Sequence, residues 1–215
     1  MILRQYLNYV RAKSCYLILF SLFVFVLISC DSERQYKGTV LNNHDSYRFA
    51  LKDHSNRLID SGNHGSNVAI LSFLFTECTD VCPIITNTIR KSLSNVPDSD
   101  KIPVIIVSVD PENDSLENRN QFIKKWNLDT NWSFISGTRE DLTPIWNSYF
   151  INPQKYEVPI QKGGVEGINN ALLEKETVIH SSPVYILNDI GVAKLVHTNP
   201  IDKEALTQDI IRMKK

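Results

Sequence analysis

This chain of 215 residues has few cysteines and no excess of either positive or negative charge. The four cysteines lie at positions 15, 30, 78 and 82, too few for a small disulfide-stapled protein and without the two short pairs of a four-cysteine zinc site. Basic residues number 23 and acidic residues 24, so the net charge of −1 gives no reason to expect a nucleic-acid partner. An apolar content of 42% with scattered Gly and Pro suits a single globular domain instead.

Residues 1–29 have the features of a lipoprotein signal peptide. A basic N-terminal stretch precedes an uncharged run, Cys15–Ile28, which is short for a helix that crosses a hydrocarbon core of about 30 Å. The run ends in Leu27-Ile28-Ser29-Cys30, which resembles the lipobox of bacterial lipoproteins. In those proteins the peptide is cut before the Cys, which is then acylated, so Cys30 is the predicted lipidation site and several acyl chains anchor the protein stably. The alternative is an uncleaved anchor helix. Both interpretations place the domain in the cell envelope, on the extracytoplasmic side of a bacterial membrane.

Two parts are predicted after the signal peptide. Residues 30–45 are polar and lack an apolar period, which indicates a tether. Residues 46–215 form the predicted domain, in which 151–176 is a loop-rich insertion, either a hairpin or a lid. The signal peptide holds three basic residues and no acid, so the mature chain carries 20 basic and 24 acidic residues, a net charge of −4.

Apolar patterns predict an alternation of strands and helices in the domain. The predicted strands are a pair within 46–60 and single strands at 68–75, 104–109, 132–135, 184–187 and 192–197. The predicted helices are 83–94, one that a capping box at Asp114–Glu117 opens and that runs to about 126, 139–149 and 203–213. This order predicts an α/β fold, a central mixed β-sheet flanked by helices with an N-terminal β-hairpin extension. Ligands of such sheets bind past the carboxyl ends of the strands, so the turn over 76–82 is the expected reactive site.

The two remaining cysteines, Cys78 and Cys82, share that strand-to-helix turn. Cys82 lies at the start of the predicted helix, where unpaired N–H groups and the helix dipole favour a thiolate. Three intervening residues allow a disulfide and also allow both sulfurs to bind one metal ion. By spacing alone, the metal and redox interpretations stay equally open, and a structural disulfide or two buried core thiols are further alternatives.

A metal would need a third ligand, and His180 is the best placed of the five histidines. It directly precedes the predicted strand 184–187, and sheet adjacency can bring that segment beside the dithiol turn. An isolated His is nevertheless more often structural than ligating, so periodicity alone does not decide its role.

Three segments carry a resemblance to a known family. They are the run from Phe75 to Pro83 (FTECTDVCP), the run from Val107 to Asp114 (VSVDPEND), and His180 followed by Val184–Asn188. In this order, over about residues 46–215, the chain resembles the Sco (SenC-type) family. The resemblance implies a thioredoxin-like fold and one copper ion held by Cys78, Cys82 and His180. Soft thiolates suit Cu(I), and an added imidazole allows Cu(II) as well.

The resemblance also implies a function, assembly of the copper A centre of cytochrome c oxidase as a metallochaperone or thiol reductant. The expected partner is the copper A subunit or another copper or thiol protein. Asp110 lies at a strand end within the second of these segments. It is either a residue that supports the metal ligands from behind or docks the partner, or a plain turn residue before Pro111. The alternative function is a thiol–disulfide oxidoreductase without an obligate metal, so whether the protein is an enzyme stays open. A peroxide-reducing relative is less favoured, since no Arg can be assigned beside an attacking Cys.

Overall fold

A computed structural model describes residues 36–159 and 174–214 of the chain. The predicted signal peptide, the lipidation site Cys30, the start of the tether and the middle of the insertion 151–176 lie outside the described residues. Within the described residues, no helix combines the length and the apolar character needed to cross a membrane.

The described residues form ten strands and four helices. The strands are β1 (Thr39–Val40), β2 (Ala50–Lys52), β3 (Leu58–Asp60), β4 (Val68–Leu74), β5 (Val104–Ser108), β6 (Trp132–Ile135), β7 (Gln154–Pro159), β8 (Glu174–Ile179), β9 (Val184–Asn188) and β10 (Ala193–His197). The helices are α1 (Val81–Leu93), α2 (Leu116–Lys125), α3 (Arg139–Ser148) and α4 (Lys203–Lys214).

A six-stranded mixed sheet in the order β1-β10-β9-β4-β5-β6 forms the centre of the fold. β4, β5 and β6 are parallel, whereas β9 pairs antiparallel with β4 and β10 antiparallel with β9. All seven residues of β4 are buried, as expected of a central strand covered on both faces. The mixed sheet and its helices confirm the predicted α/β class.

Two hairpins lie outside this sheet. β2 and β3 form the predicted N-terminal hairpin. β7 and β8 pair antiparallel from Gln154↔Ile179 to Pro159↔Glu174, so the ends of the insertion form a hairpin rather than loops. Because His180 directly follows β8, the hairpin determines where the backbone of this residue lies.

The folded part begins earlier in the chain than the predicted boundary at residue 46. β1 pairs with β10, and the backbone N–H groups of Lys37 and Gly38 donate to the buried carboxylate of Asp209 in α4 at 2.7–3.0 Å. The carboxylate also lies 3.2 Å from Nε2 of the buried His197. A two-residue strand is too short to show an apolar period, which is why the sequence assigned these residues to the tether.

The start of α2 also differs from the prediction. Ser115, not Asp114, is the N-cap, and its side chain accepts the N–H of Asn118. Both residue types are good N-caps. In the structure Asp114 turns inward instead, where its carboxylate accepts hydrogen bonds from Thr76 and Ser108.

Candidate metal and thiol site

The dithiol turn follows β4 and leads directly into α1. Cys78 is half-buried in the turn, Cys82 is fully buried in the first turn of the helix, and both are free thiols. The backbone N–H of Cys82 donates to Sγ of Cys78 over 3.4 Å. The structure therefore brings the two predicted sulfur ligands together at the carboxyl end of a central strand.

The two thiols differ in acidity. A hydrogen bond with the Cys82 side chain, helped by backbone N–H groups at the start of α1 and opposed by burial, lowers the pKa of Cys78 to about 6. The same side-chain bond, burial and the charge on Cys78 raise the pKa of Cys82. At neutral pH Cys78 is the thiolate and Cys82 holds its proton.

This assignment reverses the expectation that the thiolate would lie at Cys82. The unpaired N–H groups at the helix N-terminus, which were expected to favour a thiolate at Cys82, are present. Because α1 begins at Val81, those groups point outward to Cys78, whereas Cys82 is already inside the helix and faces the core.

His180 lies beside the dithiol turn. Its ring centroid is 5.9 Å from that of Phe75, and with Val81, the residue before Cys82, it lines a cleft of about 480 Å³. Nδ1 of His180 is 2.6 Å from the Ser181 carbonyl oxygen, which can only accept, so Nδ1 carries the proton and Nε2 keeps its lone pair. Burial lowers the pKa of His180, which keeps the ring neutral.

The three predicted ligands lie in neighbouring segments, but their side chains do not meet around a common point. Among the described residues, no three His, Cys, Asp or Glu side chains lie close enough together to hold one metal ion. The two cysteines are in contact with each other, His180 contacts the ring of Phe75, and Val81, the residue before Cys82, lines the same cleft as His180.

Asp110 is a buried turn residue with one carboxylate oxygen that accepts no hydrogen bond from the described residues. Its backbone carbonyl accepts the N–H groups of Asn113 and Asp114, and Oδ2 accepts a hydrogen bond from the Asn113 side chain. Oδ1 finds no hydrogen-bond partner among the described residues, and the Lys155 ammonium of β7 lies 3.9 Å from it. Burial raises the pKa of Asp110, with Glu77 beside the dithiol contributing. The turn interpretation fits the backbone bonds, and among the described residues Asp110 forms no metal-binding cluster with the two cysteines.

Asp114 is the buried residue near the site that the sequence did not single out. Its Oδ1 accepts the backbone N–H of Thr76 at 2.8 Å, and its Oδ2 accepts the Ser108 hydroxyl at 2.5 Å. Burial raises the pKa of Asp114 to about 6, and its charge contributes to the raised pKa of Cys82. The sequence could have pointed to Asp114 through its position, because this residue follows a buried parallel strand whose carboxyl end lies beside that of β4.

Two curated proteins are similar to this chain. The SCO1 protein homolog of Bacillus subtilis (strain 168) is 26% identical over 118 residues, which cover 53% of this chain and 59% of that protein. The mitochondrial Protein SCO1 homolog 1 of Arabidopsis thaliana is 24% identical over 111 residues, which cover 51% of this chain and 33% of that protein. The chain thus spans less than two thirds of the length of either relative.

The solved structures that are similar in fold include two members of the Sco family. Bradyrhizobium japonicum ScoI, solved with copper bound, has a TM-score of 0.61 and 22% identity, covering 78% of this chain and 98% of that chain. BsSco, described with a disulfide switch as a member of the Sco family of cytochrome c oxidase assembly proteins, has a TM-score of 0.60 and 17% identity, covering 85% and 98%. These neighbours are thioredoxin-like, so the predicted fold is confirmed. The family model described as SCO1/SenC matches residues 39–215, and this chain belongs to the SCO1/SenC family.

Proposed function

We propose that this protein is a membrane-tethered, copper-binding factor that assists assembly of the copper A centre of cytochrome c oxidase. The observation that carries the proposal is the dithiol turn, in which an acidic, half-buried Cys78 contacts a buried Cys82 beside His180. Two relatives support it, since one was solved with copper bound and another is described as a cytochrome c oxidase assembly protein.

The donor atoms of Cys78, Cys82 and His180 suit copper. Thiolate sulfur favours Cu(I), and an imidazole nitrogen extends the set to Cu(II). Cys78 offers a thiolate at neutral pH, and the Nδ1–H of His180 is held by the Ser181 carbonyl, which leaves Nε2 as the ligating atom. Because these side chains do not form one metal-binding cluster among the described residues, binding would require the His180 segment and the dithiol turn to approach each other.

Each residue has a separate task in copper transfer. Cys78 is deprotonated beforehand and binds first, whereas Cys82 releases its proton on binding, which makes affinity depend on pH. His180 would supply the third ligand, and a site of only three protein ligands would leave the ion accessible to an acceptor. Thiols of the acceptor, the copper A subunit or another copper or thiol protein, then replace these ligands one at a time.

The lowered pKa of Cys78 also favours a second candidate, a thiol–disulfide oxidoreductase without an obligate metal. The Cys78 thiolate would attack one sulfur of an acceptor disulfide, forming a mixed disulfide and releasing one acceptor thiolate. Cys82, after losing its proton, would attack Sγ of Cys78 and release the second acceptor thiolate. Two electrons pass to the acceptor, and Cys78 and Cys82 are left as a disulfide.

Copper titration of the reduced full chain in mild detergent separates the two candidates. The parent should bind one copper ion, and His180→Ala should bind at least about 100-fold more weakly, because even residues behind the ligands are worth about 10–100-fold in metal affinity. His64→Ala is the matched control, since His64 bonds the Asn188 carbonyl instead of lining the cleft. Equal affinity of His180→Ala and the parent would contradict the ligand assignment. A parent that binds no copper but reduces protein disulfides would establish the second candidate.

The tether is a proposal with its own test. We propose that Cys30 carries the lipid and places the domain on the extracytoplasmic side of a bacterial membrane. Cys30→Ala should abolish lipid labelling and block processing of the signal peptide. Unchanged labelling would contradict this proposal without affecting the copper site.

A further inference from the structure

The carboxylate of Asp114 connects the ends of two neighbouring strands below the dithiol turn. Only 2% of Asp114 is exposed. Its Oδ1 accepts the N–H of Thr76, two residues past β4, and its Oδ2 accepts the hydroxyl of Ser108, the last residue of β5. A carboxylate bonded in this way fixes the position of one strand end relative to the other.

The segment that Asp114 holds, Phe75 and Thr76, contacts Cys82 and His180 and leads directly into the turn that carries Cys78. The backbone of Phe75, adjacent to Thr76, hydrogen-bonds the Cys82 side chain. The ring of Phe75 faces His180 with 5.9 Å between the centroids, and Cys78 follows Thr76 by two residues. A shift of Phe75 and Thr76 would therefore move all three ligands relative to one another.

Asp114 is itself held firmly. The Arg119 side chain donates to the backbone carbonyl of Asp114 at 3.1 Å and to that of Phe134 in β6 at 3.0 Å. The indole N–H of Trp146 in α3 donates to the Ser108 carbonyl at 2.9 Å. Asp114 is thus bonded directly to β5 through its carboxylate and to Arg119 of α2 through its backbone carbonyl, and these partners are in turn bonded to β6 and α3. Helices and strands move little compared with a loop.

We infer that Asp114 is a positioning residue that holds Phe75 and Thr76 so that Cys78, Cys82 and His180 can converge on one copper ion. The inference rests on the proposed copper function. Asp114 would not touch the metal, and its effect would pass through the Thr76 N–H.

The test compares three variants of the reduced full chain in mild detergent. Asp114→Ala removes the acceptor of the Thr76 N–H, whereas Asp114→Asn keeps a carbonyl oxygen that can accept it. Asp209→Ala is the control, because it removes another buried carboxylate that accepts backbone N–H groups, those of Lys37 and Gly38, outside the dithiol turn. Copper affinity is measured with copper alone against a chromophoric chelator, at a temperature where circular dichroism shows each variant folded. Amide hydrogen exchange at Thr76 is followed without copper.

Asp114→Ala should bind copper about 10–100-fold more weakly than the parent and show an altered Cu(II)–thiolate absorption band. Its Thr76 amide should also exchange faster. Asp114→Asn should recover most of the affinity, and Asp209→Ala should match the parent in all three measurements. Equal copper affinity of folded Asp114→Ala and the parent would overturn the inference, as would an equal loss in Asp209→Ala. A parent that binds no copper would overturn the proposed function instead, and unchanged exchange at Thr76 would then reject the positioning role as well.

Discussion

Replacing Asp114 by Asn should change how the stability of the protein depends on pH. The carboxyl group is buried, and burial raises its pKa from 3.8 to about 6 despite hydrogen bonds from Ser108 and Thr76 that act in the opposite direction. The folded protein therefore binds this proton more tightly than the unfolded chain does. Asn cannot titrate, so Asp114→Asn should lack this contribution altogether.

The magnitude follows from the two pKa values. A difference between 3.8 and about 6 corresponds to about 3 kcal/mol in the free energy of unfolding. Since the folded-state pKa is raised, the stabilisation is fully present below the unfolded pKa and is lost as the pH rises through the folded pKa. The parent should thus lose up to about 3 kcal/mol relative to Asp114→Asn between about pH 4 and pH 7.

Urea unfolding of both proteins across this pH range measures the difference, with the fluorescence of the buried Trp132 and Trp146 as the signal. Shifted carboxyl groups that do not interact with Asp114, such as Asp53, are present in both proteins and cancel in the comparison. A constant difference across the pH range would refute the assigned pKa. A difference that changes in the opposite direction would mean that the Asp114 hydrogen bonds outweigh its burial.

Three further predictions concern the thiols and the frame of the domain. Cys82→Ala should raise the pKa of Cys78 towards its ordinary value of 9.0, because the largest cause of the lowered pKa is lost; the pH profile of iodoacetamide alkylation measures this, and an unchanged midpoint would contradict it. Asp209→Ala should lower the free energy of unfolding by about 1–3 kcal/mol, because two backbone N–H groups lose their buried acceptor. Urea unfolding checks this value, and parental stability would show that water replaces the carboxylate. Gly191→Ala should cost more than about 1 kcal/mol, because the residue has φ +77° and a Cβ would lie 2.0 Å from the Ser61 carbonyl oxygen. Calorimetry should show a lower Tm, and an unchanged Tm would mean that the neighbouring turn shifts easily.

The parts of the fold that the sequence predicts correctly are those with a repeated apolar pattern. The run at 68–75 predicts a strand buried on both faces, and every residue of β4 is buried. The pattern fails at β1, because two residues cannot show a period and because the strand is held by pairing with β10, far along the chain. The preceding Lys37 and Gly38 are likewise held by Asp209 of α4. The hairpin of β7 and β8 was one of two interpretations of a segment whose Gly and Pro content favours loops.

The composition of the candidate site could be predicted, but the division of roles within it could not. Cys78 and Cys82 follow from their spacing in a strand-to-helix turn, and that turn is where the structure places them. Which sulfur is the thiolate depends on where α1 begins, and sequence patterns locate helix ends only to within a few residues. With the helix starting at Val81, the first-turn N–H groups serve Cys78 rather than Cys82.

The same uncertainty of one residue at α2 decides what Asp114 does. Asp114 and Ser115 are adjacent and equally good caps, so local preference gives no reason to choose between them. If Asp114 capped α2, its carboxylate would face the N–H groups of that helix, and the N–H of Thr76 would lose its acceptor. Because Ser115 caps the helix, Asp114 is free to reach Thr76 and Ser108 at the ends of two parallel strands. Burying this carboxylate raises its pKa and therefore costs stability at neutral pH, and such a cost is expected where a residue serves the geometry of a site.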